Sequence, residues 1–174
     1  MKLLRKINDW NREEKRKLRS TPNTDDEIRV LKKLRKKAKN EGITIIDELP
    51  GRDGGGYIGP GWKWKDIPEH TIKKHGYNKI IPKEMEGRPI ISVVGNNKGK
   101  PFILAHELGH ASPGNLNKNP NGKFGFRAKA EELRANIKGY QMLKKSGANK
   151  DTLKKARKGF YQQILGTLLA GHID

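Results

Sequence analysis

The chain has 174 residues, 38 of them Lys or Arg against 19 Asp or Glu, giving a formal charge of +19 at neutral pH, and it contains no cysteine. That length suits one compact domain with an appendage, and the absence of cysteine excludes disulfides and thiolate metal sites without settling the compartment. No run of about 20 apolar residues exists, so no membrane span is expected; residues 1–10 carry charge but lack the apolar core of a Sec signal, which points to a cytoplasmic location or to delivery into a target cell by a non-Sec route.

Two basic helices are predicted first. Leu3, Leu4, Ile7 and Trp10 recur at helical spacing, thin into a charged run over residues 13–19, and are interrupted at Ser20-Thr21-Pro22-Asn23. Thr24-Asp25-Asp26-Glu27 then reads as a capping box, in which Thr24 and Glu27 satisfy each other's free backbone donors. Ile28, Leu31 and Leu34 follow on one side, and Asn40 and Gly42 end the helix. The expectation over residues 1–42 is a basic N-terminal helical arm, a hairpin with one apolar seam. It is a solvated arm packed on the domain, a docking arm, or a pro-segment covering a cleft.

After Gly42 the texture changes. Ile43-Thr44-Ile45-Ile46-Asp47 is short and β-branched, and predicts the first strand of a small sheet. The glycine-rich stretch 51–64 lacks the Gly-Lys-Ser/Thr ending and the following helix of a phosphate loop, so a hairpin or loop near a cleft is expected. Trp62 and Trp64 are expected to alternate across a strand at the sheet edge. Residues 89–94 read as another strand, 95–99 as the turn out of it, and Pro101 as the start of a helix.

That helix carries His106-Glu107-Leu108-Gly109-His110. Residues i and i+4 share a helix face, so His106 and His110 can aim ring nitrogens at one metal ion. Glu107 sits about 100° around the turn, placed to reach a water on the open side of that metal as a general base. The plain alternative is an amphipathic helix that happens to carry two histidines. A closed structural zinc site takes four protein ligands and a catalytic one three with a vacancy for water, and there is no cysteine with which to close a site. The third ligand is therefore sought further along, past a Pro-, Gly- and Asn-rich loop at residues 112–123. Glu132 and Asn136, i and i+4 on a second helix, supply a metal ligand and an acceptor for the second ring N–H of one histidine; Glu131 is the rival ligand. Ser146-Gly147 stops this helix, Asn149 or Asp151 caps a last one, and Leu153, Ala156, Phe160, Ile164, Leu165, Leu168 and Leu169 are expected to face the core.

The run from Phe102 to His110, FILAHELGH, resembles the FxLAHELGH signature of the ImmA/IrrE-type metallopeptidases, and Glu132-Leu133-Arg134-Ala135-Asn136 is similar to their Glu-x-x-Ala-Asn element. The continuation over residues 139–147 is similar to the third-ligand helix of membrane-linked zinc peptidases and of the minigluzincins. The resemblance covers roughly residues 89–147 and departs from the ImmA/IrrE pattern where Asn-x-Phe-Ala is replaced by Asn136-Ile137-Lys138-Gly139. It implies an α+β, zincin-like domain over residues 43–174, with a short mixed sheet, an HExxH active-site helix and a third-ligand helix. It further implies a gluzincin zinc peptidase with His106, His110 and Glu132 on Zn2+, Glu107 as general base and a protein or peptide as substrate. An oxyanion donor is also required, for which Tyr140, Tyr161, His70, His75 and His172 are candidates.

The charge admits two further readings. A field of this sign attracts nucleic acid, acidic proteins or another anionic partner or carrier, so the chain could be a polyanion-binding protein with an incidental HExxH; against this, the cations are spread along the chain and aromatics are only 6%. Small size, positive charge, no cysteine and a self-contained peptidase motif also fit a delivered effector or toxin.

Overall fold

The computed structural model describes residues 2–47, 56–67, 69, 72, 81–93, 100–114 and 126–169. The architecture is α+β and mostly helical. In chain order come α1 (Lys2–Ser20), α2 (Asp25–Asn40), β1 (Thr44–Asp47), β2 (Gly56–Ile58), β3 (Ile90–Val93), α3 (Pro101–Ala111), α4 (Phe126–Lys145) and α5 (Lys150–Leu169), with short 3-10 turns at Trp64–Asp66 and Lys83–Met85. Among the described residues no helix is long and apolar enough to cross a membrane. The expected turn at 95–99, most of the loop 112–123, and His70, His75 and His172 lie outside the described residues.

The sheet is mixed, in the order β1-β3-β2, with β3 parallel to β1 and antiparallel to β2. Its register aligns Ile45, Ile91 and Tyr57 in one row and Thr44, Ile90 and Ile58 in the next. Because side chains alternate along a strand, the two rows serve different cores. Ile45, Ile91 and Tyr57 join the helices, whereas Ile90 and Ile58 join Ile81, Ile46, Ile67 and Met85 on the far face. Trp62 and Trp64 belong to that far cluster. They do not alternate across a strand as expected: both lie after β2, Trp64 opens a 3-10 turn, and their rings meet edge to face at 5.2 Å. The glycines of 59–61 and Pro60 end the strand before the tryptophans are reached, and Trp62 Nε1–H then donates to Arg88 O at 2.7 Å.

On the helical side, α2 supplies Val30, Leu31, Leu34 and Ala38, and α3 supplies Phe102, Ile103, Leu104, Ala105 and Leu108. The capping box forms as read: Glu27 N–H donates to Thr24 Oγ1 at 3.3 Å and Thr24 N–H to Glu27 Oε2 at 2.8 Å. Gly42, at φ 70°, takes the left-handed turn that releases the chain into β1. The arrangement of the first two helices differs from one hairpin seam. α1 packs along α5, while α2 packs on α3 and β1. Ile28 is only half-buried and Val30 takes its expected place, and Trp10 is 51% exposed. α1 instead turns inward a mixed face, with Leu18 against the main core and the buried Asn11 donating through Nδ2–H to Gln162 O at 3.2 Å. In α5 likewise, Ala156 and Phe160 are buried as expected, but Leu153, Ile164 and Leu165 only in part. Asn149, rather than Asp151, caps it, accepting from Thr152 N–H at 2.8 Å.

Candidate metal centre

α3 is buried on all sides from Pro101 to Gly109, which suits its nearly continuous apolar sequence. Pro101 stands in the first turn, where its missing N–H costs nothing. The turn between α1 and α2 is fastened to this end of α3, because the buried Lys100 ammonium donates to Thr21 O and, at 2.9 Å, to Asn23 Oδ1. Burial lowers the Lys100 pKa from its usual value, with the Glu27 charge opposing.

α4 crosses α3 at a backbone approach made possible by two glycines. A Cβ on Gly109 would collide with the carbonyl of Ala135, and one on Gly139 would stand 2.8 Å from Ala105 O and 3.0 Å from His106 N. These are backbone atoms and cannot swing aside, so both positions exclude side chains. Gly139, with Lys138, is one of the two positions at which the sequence departs from the Asn-x-Phe-Ala pattern.

The crossing brings three donor atoms together. His106 Nε2 and His110 Nε2 are 3.1 Å apart; Glu132 Oε2 lies 3.3 Å from the first and Glu132 Oε1 3.5 Å from the second. Among the described residues, His106, His110 and Glu132 form a group whose ligand atoms lie within 4.8 Å of one another and could hold a metal ion. Bonds of about 2.0–2.1 Å to a tetrahedral zinc would separate neighbouring ligand atoms by about 3.3–3.4 Å, within the spread of the three distances.

The outer nitrogens of both imidazoles are committed elsewhere. His106 Nδ1–H donates to Asn136 Oδ1 at 2.9 Å, and His110 Nδ1–H to Glu131 Oε1 at 3.0 Å. An amide oxygen and a carboxylate only accept, so each ring carries its proton on Nδ1 and turns the Nε2 lone pair inward. Two lone pairs and a carboxylate facing one another at this range repel unless a cation lies among them. Without a metal that cation is a proton. Burial works against it, but the hydrogen bond to Glu132 and the charge of Glu107 together raise the His110 pKa. Glu132 is held well below the usual carboxylate range; its burial opposes this, and the two histidines outweigh it. The donor set therefore fits a divalent metal. Its accessible edge is the Glu132 side, 34% exposed against 4% for His106.

Glu131, the rival ligand, does not join the group. Its carboxylate is 2% exposed and is clamped by Arg134, whose Nε–H and Nη2–H donate to its two oxygens at 2.7 Å each. Arg134 also donates to Gly109 O at 2.9 Å and Pro113 O at 3.2 Å, so one guanidinium neutralises a buried carboxylate and ties the last turn of α3 to the segment that follows it. The Arg134–Glu131–His110 chain was not read from the sequence. Its signal was the spacing of an acid and an arginine one turn apart, Glu131 and Arg134, directly beside Glu132. Glu107 is 5% exposed. Tyr140 accepts from Arg157 Nε–H at 2.8 Å and so faces α5, and Tyr161 is 60% exposed on α5. No family model, curated protein or solved structure matches the chain.

Proposed function

We propose that this protein is a zinc-dependent metallopeptidase of zincin-like, gluzincin type, and that its substrate is a protein or peptide. The observation that carries this reading is the inward set of His106 Nε2, His110 Nε2 and the Glu132 carboxylate, with both Nδ1 atoms tied back by Asn136 and Glu131. An incidental pair of helical histidines requires neither an outer acceptor for each ring nor a carboxylate brought from a second helix.

Zinc held there would supply a Lewis acid, lowering the pKa of water from about 15.7 toward about 7 and polarising a peptide carbonyl. The chain's own residues do the rest. Asn136 and Glu131 fix the tautomer and tilt of the two imidazoles. Glu107, one residue along α3 from His106, accepts a proton from the attacking water as its oxygen bonds the carbonyl carbon. Glu107 then returns that proton to the amide nitrogen as the C–N bond breaks, so the carboxylate ends as it began. The nearly dry setting of His106 and Glu107 strengthens these interactions, while the exposed Glu132 edge leaves a side for substrate.

The test compares the wild type with Glu107→Gln, His106→Ala and His110→Ala for zinc content and for cleavage of unfolded casein. The wild type binds zinc at a ratio near one and cleaves; Glu107→Gln keeps the zinc and loses at least about 100-fold in rate; the histidine variants lose the metal. Undiminished cleavage by Glu107→Gln overturns the role given to that carboxylate. An effector or toxin role is tested by expressing wild type and Glu107→Gln inside a susceptible cell, where equal growth counts against it.

A further inference from the structure

Some cations of each basic helix meet an acid in the fold. On α1, Glu13 and Glu14 pair with Lys17, and Glu14 also reaches Lys158 of α5. On α5, Lys155 reaches the buried Glu27 at 3.1 Å, and Arg157 lies against Tyr140. On α2 the acids are confined to the first turn, as Asp25, Asp26 and Glu27. From Ile28 to Asn40 there is no acid, while Arg29, Lys32, Lys33, Arg35, Lys36, Lys37 and Lys39 are basic.

Four of these seven have partners that account for them. Arg35 pairs with Asp47 at 2.9 Å and Lys37 with Glu41 at 2.5 Å, while Arg29 and Lys33 donate to the carbonyl of Ser146 at 3.3 and 3.1 Å. Lys32, Lys36 and Lys39 are exposed and, among the described residues, meet no carboxylate. They stand at i, i+4 and i+7 and so form one line along the helix, spaced about one turn, or roughly 5 Å, apart. Arg29, one turn before Lys32, is held by the Asp26 carboxylate and lies outside this unrelieved row. Its guanidinium also reaches Ser146 O in the turn that follows α4.

Like charges one turn apart repel, so an unrelieved row is held against local stability. The opposite face of α2, Val30, Leu31, Leu34 and Ala38, is locked in the core. This helix therefore cannot roll its apolar side into a bilayer, and it presents its cations as a rigid rod. No aromatic side chain lies on α2, so there is no platform for stacking bases. A straight row of regularly spaced point charges with nothing to read a base suits an evenly charged polymer engaged through its phosphates.

We propose that the outer face of α2, centred on Lys32, Lys36 and Lys39, is a contact surface for the phosphodiester backbone of nucleic acid, bound without regard to sequence. This surface is independent of the metal centre and stands whether or not the chain is a peptidase.

The experiment follows binding of the full-length protein to a short fluorescein-labelled DNA duplex by anisotropy over a series of salt concentrations. It compares the wild type, Lys32→Gln/Lys36→Gln/Lys39→Gln, the single variant Lys36→Gln, and a control of equal charge loss, Lys6→Gln/Arg12→Gln/Lys154→Gln. Each phosphate contact contributes about 0.9 to the slope of log affinity against log salt, so the α2 triple should lower the slope by about 2 to 3, Lys36→Gln by about 1, and the control by less than 1. Circular dichroism matching the wild type establishes that the variants are folded; should the triple unfold, Lys36→Gln alone decides. The proposal is overturned if the two triple variants shift alike, which would mean diffuse charge, or if the wild type does not bind the duplex. It is also overturned if phosphatidylserine vesicles retain the protein at salt concentrations that release DNA, or if an acidic peptide competes with the duplex at equal charge.

Discussion

Each imidazole of the candidate centre has two nitrogens with separate duties, and the outer partners decide which duty each performs. Asn136 and Glu131 differ in charge, so their loss should differ too. Removing the carboxylate charge by Glu131→Gln weakens the hydrogen bond to His110 Nδ1 and should reduce zinc affinity about 10- to 100-fold, while saturating zinc restores most of the cleavage rate. A competition titration against a zinc chelator measures this, and an unchanged affinity would mean that Glu131 acts only in packing. Arg134→Met is the harsher change, because it leaves a carboxylate that is 2% exposed without its cation. A loss of about 3–5 kcal/mol in unfolding stability is expected, read by urea denaturation. At this scale the residues that could hold a metal ion were legible: the i, i+4 spacing of His106 and His110 forces a shared face, and the i, i+4 spacing of Glu132 and Asn136 does the same on α4. The roles of Glu131 and Glu132 were not separable in advance. Adjacent residues on a helix differ by about 100° in direction, and which one meets the histidines depends on how α4 is rotated against α3.

That rotation is set by the small residues where the helices cross. Ala105 and Gly109 on α3 face Ala135 and Gly139 on α4. Gly139→Ala places a methyl group 2.8 Å from the Ala105 carbonyl, forces the helices apart, and should cost about 1–3 kcal/mol while weakening zinc binding in parallel. Thermal unfolding with and without zinc reads both effects; a variant as stable as the wild type would show that α4 can shift without harm. A second element-scale joint lies at Asp26, whose Oδ2 accepts from Asn149 N–H at 3.0 Å and Thr152 Oγ1–H at 2.7 Å, tying the start of α2 to the start of α5. Burial would raise its pKa, but these bonds and Arg29 outweigh it, and the pKa is lowered. A lowered folded pKa means stability that is fully present above the unfolded value near 3.8 and is lost as pH falls through the folded one. Asp26→Asn should therefore be less stable than the wild type by about 1–3 kcal/mol near neutral pH, and the gap should close in acid below the ordinary carboxylate range. A gap constant with pH would place the effect in shape rather than charge. Helix starts and stops were legible here, since Thr24, Gly42, Gly147 and Asn149 act through local backbone geometry. The destination of each helical face was not, because α1 turns Asn11 and Leu18 inward while Trp10, read as part of an apolar seam, is exposed.

Across the whole molecule, the sheet divides two cores, and α3 occupies the centre of the larger one, touching the sheet, α2, α4 and α5. A strand pair of parallel and antiparallel partners around β3 was expected only as a short mixed sheet, for register depends on residues far apart in the chain: Thr44 with Ile90 and Gly56 with Ser92. The net charge of +19 was evident from composition, yet its partition was not, since only the folded chain shows which cations meet an acid, as Lys17 and Lys158 do, and that among the described residues Lys32, Lys36 and Lys39 of α2 meet none. Holding α3 and α4 together at one donor cluster is the feature on which the functional account rests. Zinc K-edge X-ray absorption on protein loaded with one equivalent of zinc tests it most directly. The account predicts two imidazole nitrogens and one carboxylate oxygen at about 2.0–2.2 Å with one further light atom, and loss of the oxygen-bearing shell in Glu132→Ala. A spectrum unchanged by Glu132→Ala, or zinc released on simple dialysis, would contradict it.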